Sequence, residues 1–298
     1  MKNKRITKIL APMAGYTDIA FRTLAREYGA ELTVTEMVST RGLVHDGAAT
    51  KILLRLSEVE SPSCVQLFGS DPNDFAFAAK AVECDIIDIN MGCPMPKIVK
   101  NGDGAALMKN PALAGEIVRA VKKVTDRPIT VKTRLGYETG KTTAGELILR
   151  VADAGASAVT VHGRFAEQRY EGKCDLDAVK KLKDFSPIPV IPSGDITRES
   201  VDEVIGEFGA AMIGRAALSD IGLFSGVVAD PVALSLHHIE LLTEYFDERY
   251  TVNAVKKFFV HYFKSVRGGK ALRGEVNCAS SVKEVTDALS RFSESRVQ

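Results

Sequence analysis

Short runs of aliphatic and β-branched residues punctuate the first two thirds of the chain. Between them lie stretches whose apolar positions recur every three or four residues. The runs are Ile6–Ala11, Leu32–Met37, Ser63–Leu67, Asp85–Ile89, Pro128–Lys132, Ala158–Val161, Pro189–Ile191 and Ala211–Ile213. Most are continuously apolar rather than alternating, as expected of parallel strands covered on both faces. The segments Ala20–Tyr28, Pro72–Val82, Pro111–Val124, Ala144–Ala154 and Arg198–Phe208 read as amphipathic helices. Asp71-Pro72 and Asn110-Pro111 set a capping side chain before a proline in the first turn, and Gly29 and Gly155 suit helix ends. Eight strand–helix units over about 215 residues predict a (β/α)8 TIM barrel. An open doubly wound sheet is the rival, but no Gly-x-Gly-x-x-Gly follows the first strand, and Gly102-Asp103-Gly104 lacks the third glycine.

Past Gly222 the pattern changes. Leu223–Pro231 reads as a linker of small residues, and 232–290 shows helical periodicity only. This divides the chain into a catalytic barrel over 1–230 and a helical domain over 231–298. Val255, Phe258, Phe259, Tyr262, Phe263 and Val266 form one apolar stripe, the signature of a bundle core. On the same predicted helix Lys256, Lys257, Lys264 and Arg267 fall within about 100° of one another. Lys270 and Arg273 follow, and no acidic residue interrupts Val255 to Gly274. That face is either solvated surface or a phosphate-binding surface.

Composition narrows little. The net charge of +1 leaves no global attraction for nucleic acid, so any basic surface must be local. The five cysteines, Cys64, Cys84, Cys93, Cys174 and Cys278, have neither zinc-ligand nor redox-motif spacing. We therefore expect no metal, no disulfide framework and a reducing, cytoplasmic setting. Lys2, Lys4 and Arg5 precede an apolar run, Ile9 to Met13, too short for a signal peptide, and no window suggests a membrane span. A monomer is the expected state.

In a barrel all strand C-termini face one mouth, so the strand ends are the candidate chemistry. They are Ala11-Pro12-Met13-Ala14-Gly15, Glu36, Gln66-Leu67-Phe68-Gly69, Asn90-Met91-Gly92-Cys93, Lys132-Thr133-Arg134, His162-Gly163-Arg164, Ser193-Gly194-Asp195 and Gly214-Arg215. Glycine-bearing loops after strands seven and eight let backbone N–H groups approach a phosphate, and Arg215 adds charge. Gln66 suits the edge of a heterocycle, and Lys132 supplies a cation near the barrel axis. Together they suggest a pocket for FMN. Cys93, between Gly92 and Pro94 at a strand end, is a general acid if its thiol keeps an ordinary pKa, or a nucleophile if His162 serves as its base. Lys132 has two alternatives of its own: a Schiff-base amine, or an ion pair with Glu36 or Asp88.

Six motifs in order resemble the flavin-dependent tRNA-dihydrouridine synthases: Ala-Pro-Met-Ala-Gly-Tyr-Thr-Asp-Ile-Ala-Phe-Arg (11–22), Gln-Leu-Phe-Gly (66–69), Asp-Ile-Asn-Met-Gly-Cys-Pro (88–94), Val-Lys-Thr-Arg-Leu-Gly (131–136), Val-His-Gly-Arg (161–164) and Met-Ile-Gly-Arg (212–215). The resemblance runs from residue 9 to about 274 and includes Lys256–Arg273, which is similar to the family's RNA-binding helices. It implies FMN reduced by NADPH, hydride transfer to C6 of a uracil in tRNA, and a proton from Cys93 to C5. Pro12, Met13, Ala14, Gln66, Lys132, His162, Ser193, Gly194, Asp195, Gly214 and Arg215 would line the cofactor. Asn90 and Arg164 would meet the substrate, and Lys256, Lys257, Lys264 and Arg267 the RNA. The chain departs from the family pattern at Ser193 (usually Asn), Phe165-Ala166 (usually Thr-Arg), Cys174-Asp175-Leu176 (usually Ala-Asp-Trp) and Ser219–Phe224 (lacking Asn-Pro-Trp). These changes predict that the chemistry is kept and the RNA target shifts. The open alternatives are the same reduction on ribosomal RNA or a free pyrimidine, a Schiff-base lyase using Lys132, and a non-catalytic RNA-binding protein.

Overall fold

A computed structural model describes residues 5–297. Lys2 and Lys4 lie outside the described residues. The strands are β1 (Lys8–Leu10), β2 (Leu32–Thr33), β3 (Val38–Ser39), β4 (Cys64–Phe68), β5 (Ile86–Asn90), β6 (Ile129–Arg134), β7 (Ala158–His162), β8 (Val190–Ser193) and β9 (Ala211–Ile213). The helices up to residue 230 are α1 (Ile19–Glu27), α2 (Thr40–Val44), α3 (Ala48–Leu53), α4 (Pro72–Ala81), α5 (Pro96–Lys100), α6 (Pro111–Lys122), α7 (Ala144–Asp153), α8 (Leu176–Phe185), α9 (Val201–Phe208) and α10 (Arg215–Ser219). Four more follow: α11 (Pro231–Tyr245), α12 (Glu248–Tyr262), α13 (Gly269–Cys278) and α14 (Val282–Val297). No helix among the described residues is long and apolar enough to cross a membrane.

All strand pairs are parallel, in the order β2-β1-β9-β8-β7-β6-β5-β4-β3. The two ends of that order, β2 and β3, are successive pieces of one stretch of chain. The Val34–Cys64 bridge ties them, so the sheet curls into the predicted barrel. The predicted second strand is therefore broken. Its interruption has a specific cause: Thr35 accepts the Gln66 N–H with its side-chain Oγ1 at 3.0 Å, in place of a ladder bond. The predicted caps form as the sequence implies, Asp71 and Asn110 accepting from Asn73 and Leu113, and Asp18 caps α1 in the same way by accepting from Phe21.

Three apolar cores result. One fills the lower barrel with Ile9, Ala11, Leu32, Val34, Cys64 and Met212. A second packs β4–β8 against α4, α6 and α7. The third joins barrel and helical region, running from Leu10 and Phe21 through Ile213 and Leu223 to Phe258, Phe263 and Leu289. Two expectations change here. The start of the expected linker, Leu223 and Phe224, is buried core rather than spacer. The expected single helix through Val266 stops at Tyr262, where the chain turns and Arg273 caps the Phe263 carbonyl at 2.6 Å. Lys264 and Arg267 thus lie beyond α12 and do not extend its face.

Parallel register decides what meets above the apolar floor. It aligns Gln66, Asp88 and Thr130 in one row, then Asn90, Lys132 and Thr160. A third row nearest the mouth holds Arg134, His162 and Ser193. The upper barrel is polar because three successive rows carry side chains that apolar residues could have filled.

Candidate active site

The thiol loop is built from the strand below it. Asn90 Oδ1 accepts from the Gly92 and Cys93 amides at 3.2 and 2.9 Å, folding the chain back over the end of β5. The Asn90 Nδ2 donates to Gln66 Oε1 at 2.9 Å, Gln66 Nε2 to Asp88 Oδ2 at 2.7 Å, and Thr130 Oγ1 to Asp88 Oδ1 at 2.5 Å. A four-residue polar chain across three strands therefore fixes Cys93. Glycine at 92 and 104 permits the close approach. A Cβ at Gly92 would sit 3.1 Å from Thr133 backbone, and one at Gly104, whose φ is +58°, would sit 2.9 Å from the Cys93 carbonyl oxygen. Half-buried Cys93 has its thiol pKa pushed up by burial, against the smaller pull of the Met95 N–H, Arg134 and Lys132. The thiol is protonated at neutral pH.

Lys132 lies within the field of Cys93, Cys174 and Asp88. Asp88 spends both oxygens on Gln66 and Thr130, and no described residue hydrogen-bonds the Lys132 ammonium. Burial, then Arg134, lowers its pKa to about 8. Lys132 is thus a half-buried cation without a close counter-charge, and the expected ion pair with Glu36 or Asp88 does not form as a contact.

His162 cannot be the base for Cys93. Burial, then Lys132, Arg134, Arg164 and Arg215, push its pKa down to about 2. An imidazole that weakly basic does not take a proton from a thiol raised above 9.0. The nucleophile alternative therefore lacks its partner.

Four cations surround His162, and the nearby carboxylate Asp195 is shared. Arg164 and Arg215 both pair with it, Arg215 at 3.2 Å, and the Cys174 N–H donates to it at 3.0 Å. Arg164 also donates to the Glu171 and Gly172 carbonyls at 3.1 and 2.6 Å and is 2 % exposed. The structure thus places Arg164 inside the loop it braces, away from the rim where a substrate contact was expected. Gly194, at φ +107°, brings its backbone against His162 and the Cys174 thiol; a Cβ there would lie 2.7 Å from Cys174 Sγ and 3.1 Å from His162 Nε2. Met13 approaches Gly214 from the β1 end: a Cβ on Gly214 would meet Met13 Sδ at 3.9 Å.

Two contributors were given no role by the sequence: Arg134, present only as a strand end, and Tyr170. Arg134 Nε donates to the Gly92 carbonyl at 2.9 Å and its Nη1 to the Phe165 and Arg169 carbonyls at 3.1 and 2.8 Å, joining the thiol loop to the loop after β7. The 53 % exposed Tyr170 ring lies 5.6 Å from the Arg134 guanidinium, 5.0 Å from that of Arg215 and edge-on to His162 at 6.5 Å. Arg134 shares the inward parity of Lys132, a usable signal. Tyr170 sits in an irregular loop with no periodicity to mark it.

The structure thus brings Cys93, Asn90, Gln66, Lys132, His162, Ser193, Gly194, Asp195, Arg215 and Met13 to one mouth. The basic residues behave otherwise. Lys256 Nζ donates to the Ala279 carbonyl at 2.7 Å, and Lys257 Nζ to the Gly15 carbonyl at 2.9 Å. Only Lys264 and Arg267 of the four are exposed without a described hydrogen bond.

The sequence model of the family described as Dihydrouridine synthase (Dus) matches residues 9–296. The chain belongs to the dihydrouridine synthase family. It is 33% identical over 305 aligned positions to a probable tRNA-dihydrouridine synthase of Rickettsia conorii, covering 95% of this chain and 92% of that one. A probable tRNA-dihydrouridine synthase of Rhizobium leguminosarum bv. phaseoli is 35% identical over 279 positions, 89% and 87% of the two chains. The tRNA-dihydrouridine synthase B of Pasteurella multocida is 32% identical over 303 positions, 95% and 91% of the two. Cys93 at the mouth of this dihydrouridine synthase carries a protonated thiol. Membership also removes the Schiff-base lyase as the main reading, although a lysine near pKa 8 would suit imine chemistry.

Proposed function

We propose that this dihydrouridine synthase holds FMN and uses NADPH to reduce specific uridines of tRNA to 5,6-dihydrouridine. The observation that carries the reading is the pairing of a surplus positive pocket with a protonated thiol. Lys132, Arg134, Arg164 and Arg215 crowd His162 with Asp195 as the carboxylate between two of them, a field that an anionic mononucleotide would neutralise. The donor set fits FMN. Gly194, Gly214 and Arg215 would take the phosphate, Pro12, Met13 and Ala14 one wall, and Ser193, Asp195 and His162 the adjoining one. Gln66 has about half its amide hydrogen-bonding capacity left for a ring edge. Reduced flavin, when bound there, supplies the hydride that goes to C6 of the uracil.

The chain's own residues do the rest. Lys132 places positive charge beside the ring, where negative charge accumulates. Asn90 fixes the Cys93 loop at the end of β5 and so restrains where the thiol can reach. The Cys93 thiol then gives its proton to C5. NADPH, one proton and the uracil C5–C6 double bond are consumed; NADP+ and two new C–H bonds result. Tyr170, presented between two guanidinium groups, would offer an exposed ring for an extruded base to stack on. The exposed Lys264 and Arg267 would meet phosphates of the folded RNA, and the relatives, named as tRNA-dihydrouridine synthases, favour tRNA over ribosomal RNA or a free pyrimidine.

The test is reconstitution: purified protein, FMN, NADPH and an unmodified tRNA transcript, followed by mass spectrometry of the digested RNA. The proposal requires uridines that have gained two hydrogens. A protein that takes up no flavin, or one that reduces free uridine as well as tRNA, overturns it.

A further inference from the structure

The loop between β1 and α1 is held from outside the barrel. Within the loop, Met13 accepts from the Tyr16 and Thr17 amides at 3.0 Å each, and Thr17 Oγ1 accepts from Met13 N–H at 2.9 Å. This compact turn exposes its tip, Gly15, at φ +79°. Gly15 is gripped through its carbonyl, which accepts from Lys257 Nζ at 2.9 Å. A second grip follows. Tyr16 packs edge-on against Phe258 and His261, both at 5.6 Å, with the Lys257 ammonium 5.9 Å from its ring centre. A third is Tyr250 Oη, which donates to Asp18 Oδ2 at 3.0 Å. Tyr250, Lys257, Phe258 and His261 stand at i, i+7, i+8 and i+11, one face of α12. One face of α12 thus meets Gly15, Tyr16 and Asp18 of the same short segment.

We propose that Lys257 and Tyr250 are positioning residues: they make α12 a clamp that fixes residues 13–17, and with them the Met13 wall of the mononucleotide pocket. Lys257 is therefore not an RNA contact. The consequence for the pocket rests on the flavin reading above; the clamp itself does not. Its function is coupling. The helices that would carry RNA and the loop that would carry the cofactor share one set of contacts, so a shift of α12 alters the wall beside Gly214.

Lys257→Met and Lys257→Arg in the full-length protein test it, with amide hydrogen exchange of the cofactor-free protein as the first readout. Lys257→Met should speed exchange of the Tyr16 and Thr17 amides about fivefold, the size expected for losing one modest hydrogen bond, and leave β5 and β6 as protected as before. Lys257→Arg should restore protection. Titration with FMN is the second readout, with an affinity loss of about the same factor in Lys257→Met. Unchanged exchange at 16 and 17 overturns the clamp, as does faster exchange spread over the whole barrel. So does a lower salt slope of tRNA binding without any change in exchange, which would return Lys257 to the RNA. If the wild-type protein takes up no FMN, the flavin reading falls, and the exchange readout still decides the clamp.

Discussion

Lowering the pH from 7 to 5 should destabilise the cofactor-free protein in a way that identifies His162. Two histidines are buried as neutral rings: His162, 8 % exposed and at about pKa 2, and His238, 1 % exposed and at about pKa 3. In the unfolded chain each returns to about 6.5. Below that value the unfolded state binds protons that the folded state refuses, so stability falls as pH falls and is fully present only above about pH 6.5. At pH 5 both folded values are far below the solution pH, so each ring costs about 1.4 kcal/mol per pH unit over roughly 1.5 units, or about 2 kcal/mol. Urea unfolding of the wild type, His162→Asn and His238→Asn at pH 7 and pH 5 measures this. The shared carboxylates cancel between variants. We expect His162→Asn to lose about 2 kcal/mol less than the wild type between the two pH values. Equal losses in both proteins, within about 0.5 kcal/mol, would mean that His162 protonates in the folded state. The exclusion of a Cys93–His162 pair would then fail with it.

Three other outcomes follow from the same contacts. Arg22→Met should cost about 3–5 kcal/mol in chemical unfolding, because it strands the buried Glu60 carboxylate that Arg22 meets at 2.8 Å; Arg22→Met with Glu60→Gln should recover part of the loss. FMN affinity, followed by flavin fluorescence, should weaken as pH rises through about 8, where Lys132 loses its charge, and should hold level in Lys132→Arg. Replacing Lys264 and Arg267 with alanine should lower the slope of log K for tRNA against log salt by about one per residue, and an unchanged slope would make them solvated surface.

The barrel was legible because continuous apolar runs and capped amphipathic segments are local signals. Asp71-Pro72 and Asn110-Pro111 start helices by chemistry contained within a few residues. Most of the mouth was legible too, since a barrel brings every strand end to one face. What the chain alone does not carry is the fate of each polar group after folding. Lys256 and Lys257 look like Lys264 in sequence, yet two of the three are spent on backbone carbonyls that lie 23 and 242 residues away. Arg164 reads as a mouth residue, but its own loop supplies two carbonyls that bury it. The break in the second strand depends on the Thr35 hydroxyl finding Gln66, 31 residues on. The stop of α12 at Tyr262 depends on Arg273 reaching back to Phe263. Each is a long-range or capping event that periodicity cannot register.

Cys93 is the group proposed to give the proton, on a loop that Asn90 braces and Gly104 approaches closely. Cys93→Ala is the direct measurement: flavin-loaded protein, NADPH and unmodified tRNA, with dihydrouridine counted by mass spectrometry and NADPH oxidation followed separately. Dihydrouridine formation should fall about 10²–10⁴-fold, as expected for loss of a general acid, while NADPH continues to be oxidised. Dihydrouridine formed by Cys93→Ala at the wild-type rate would contradict the account.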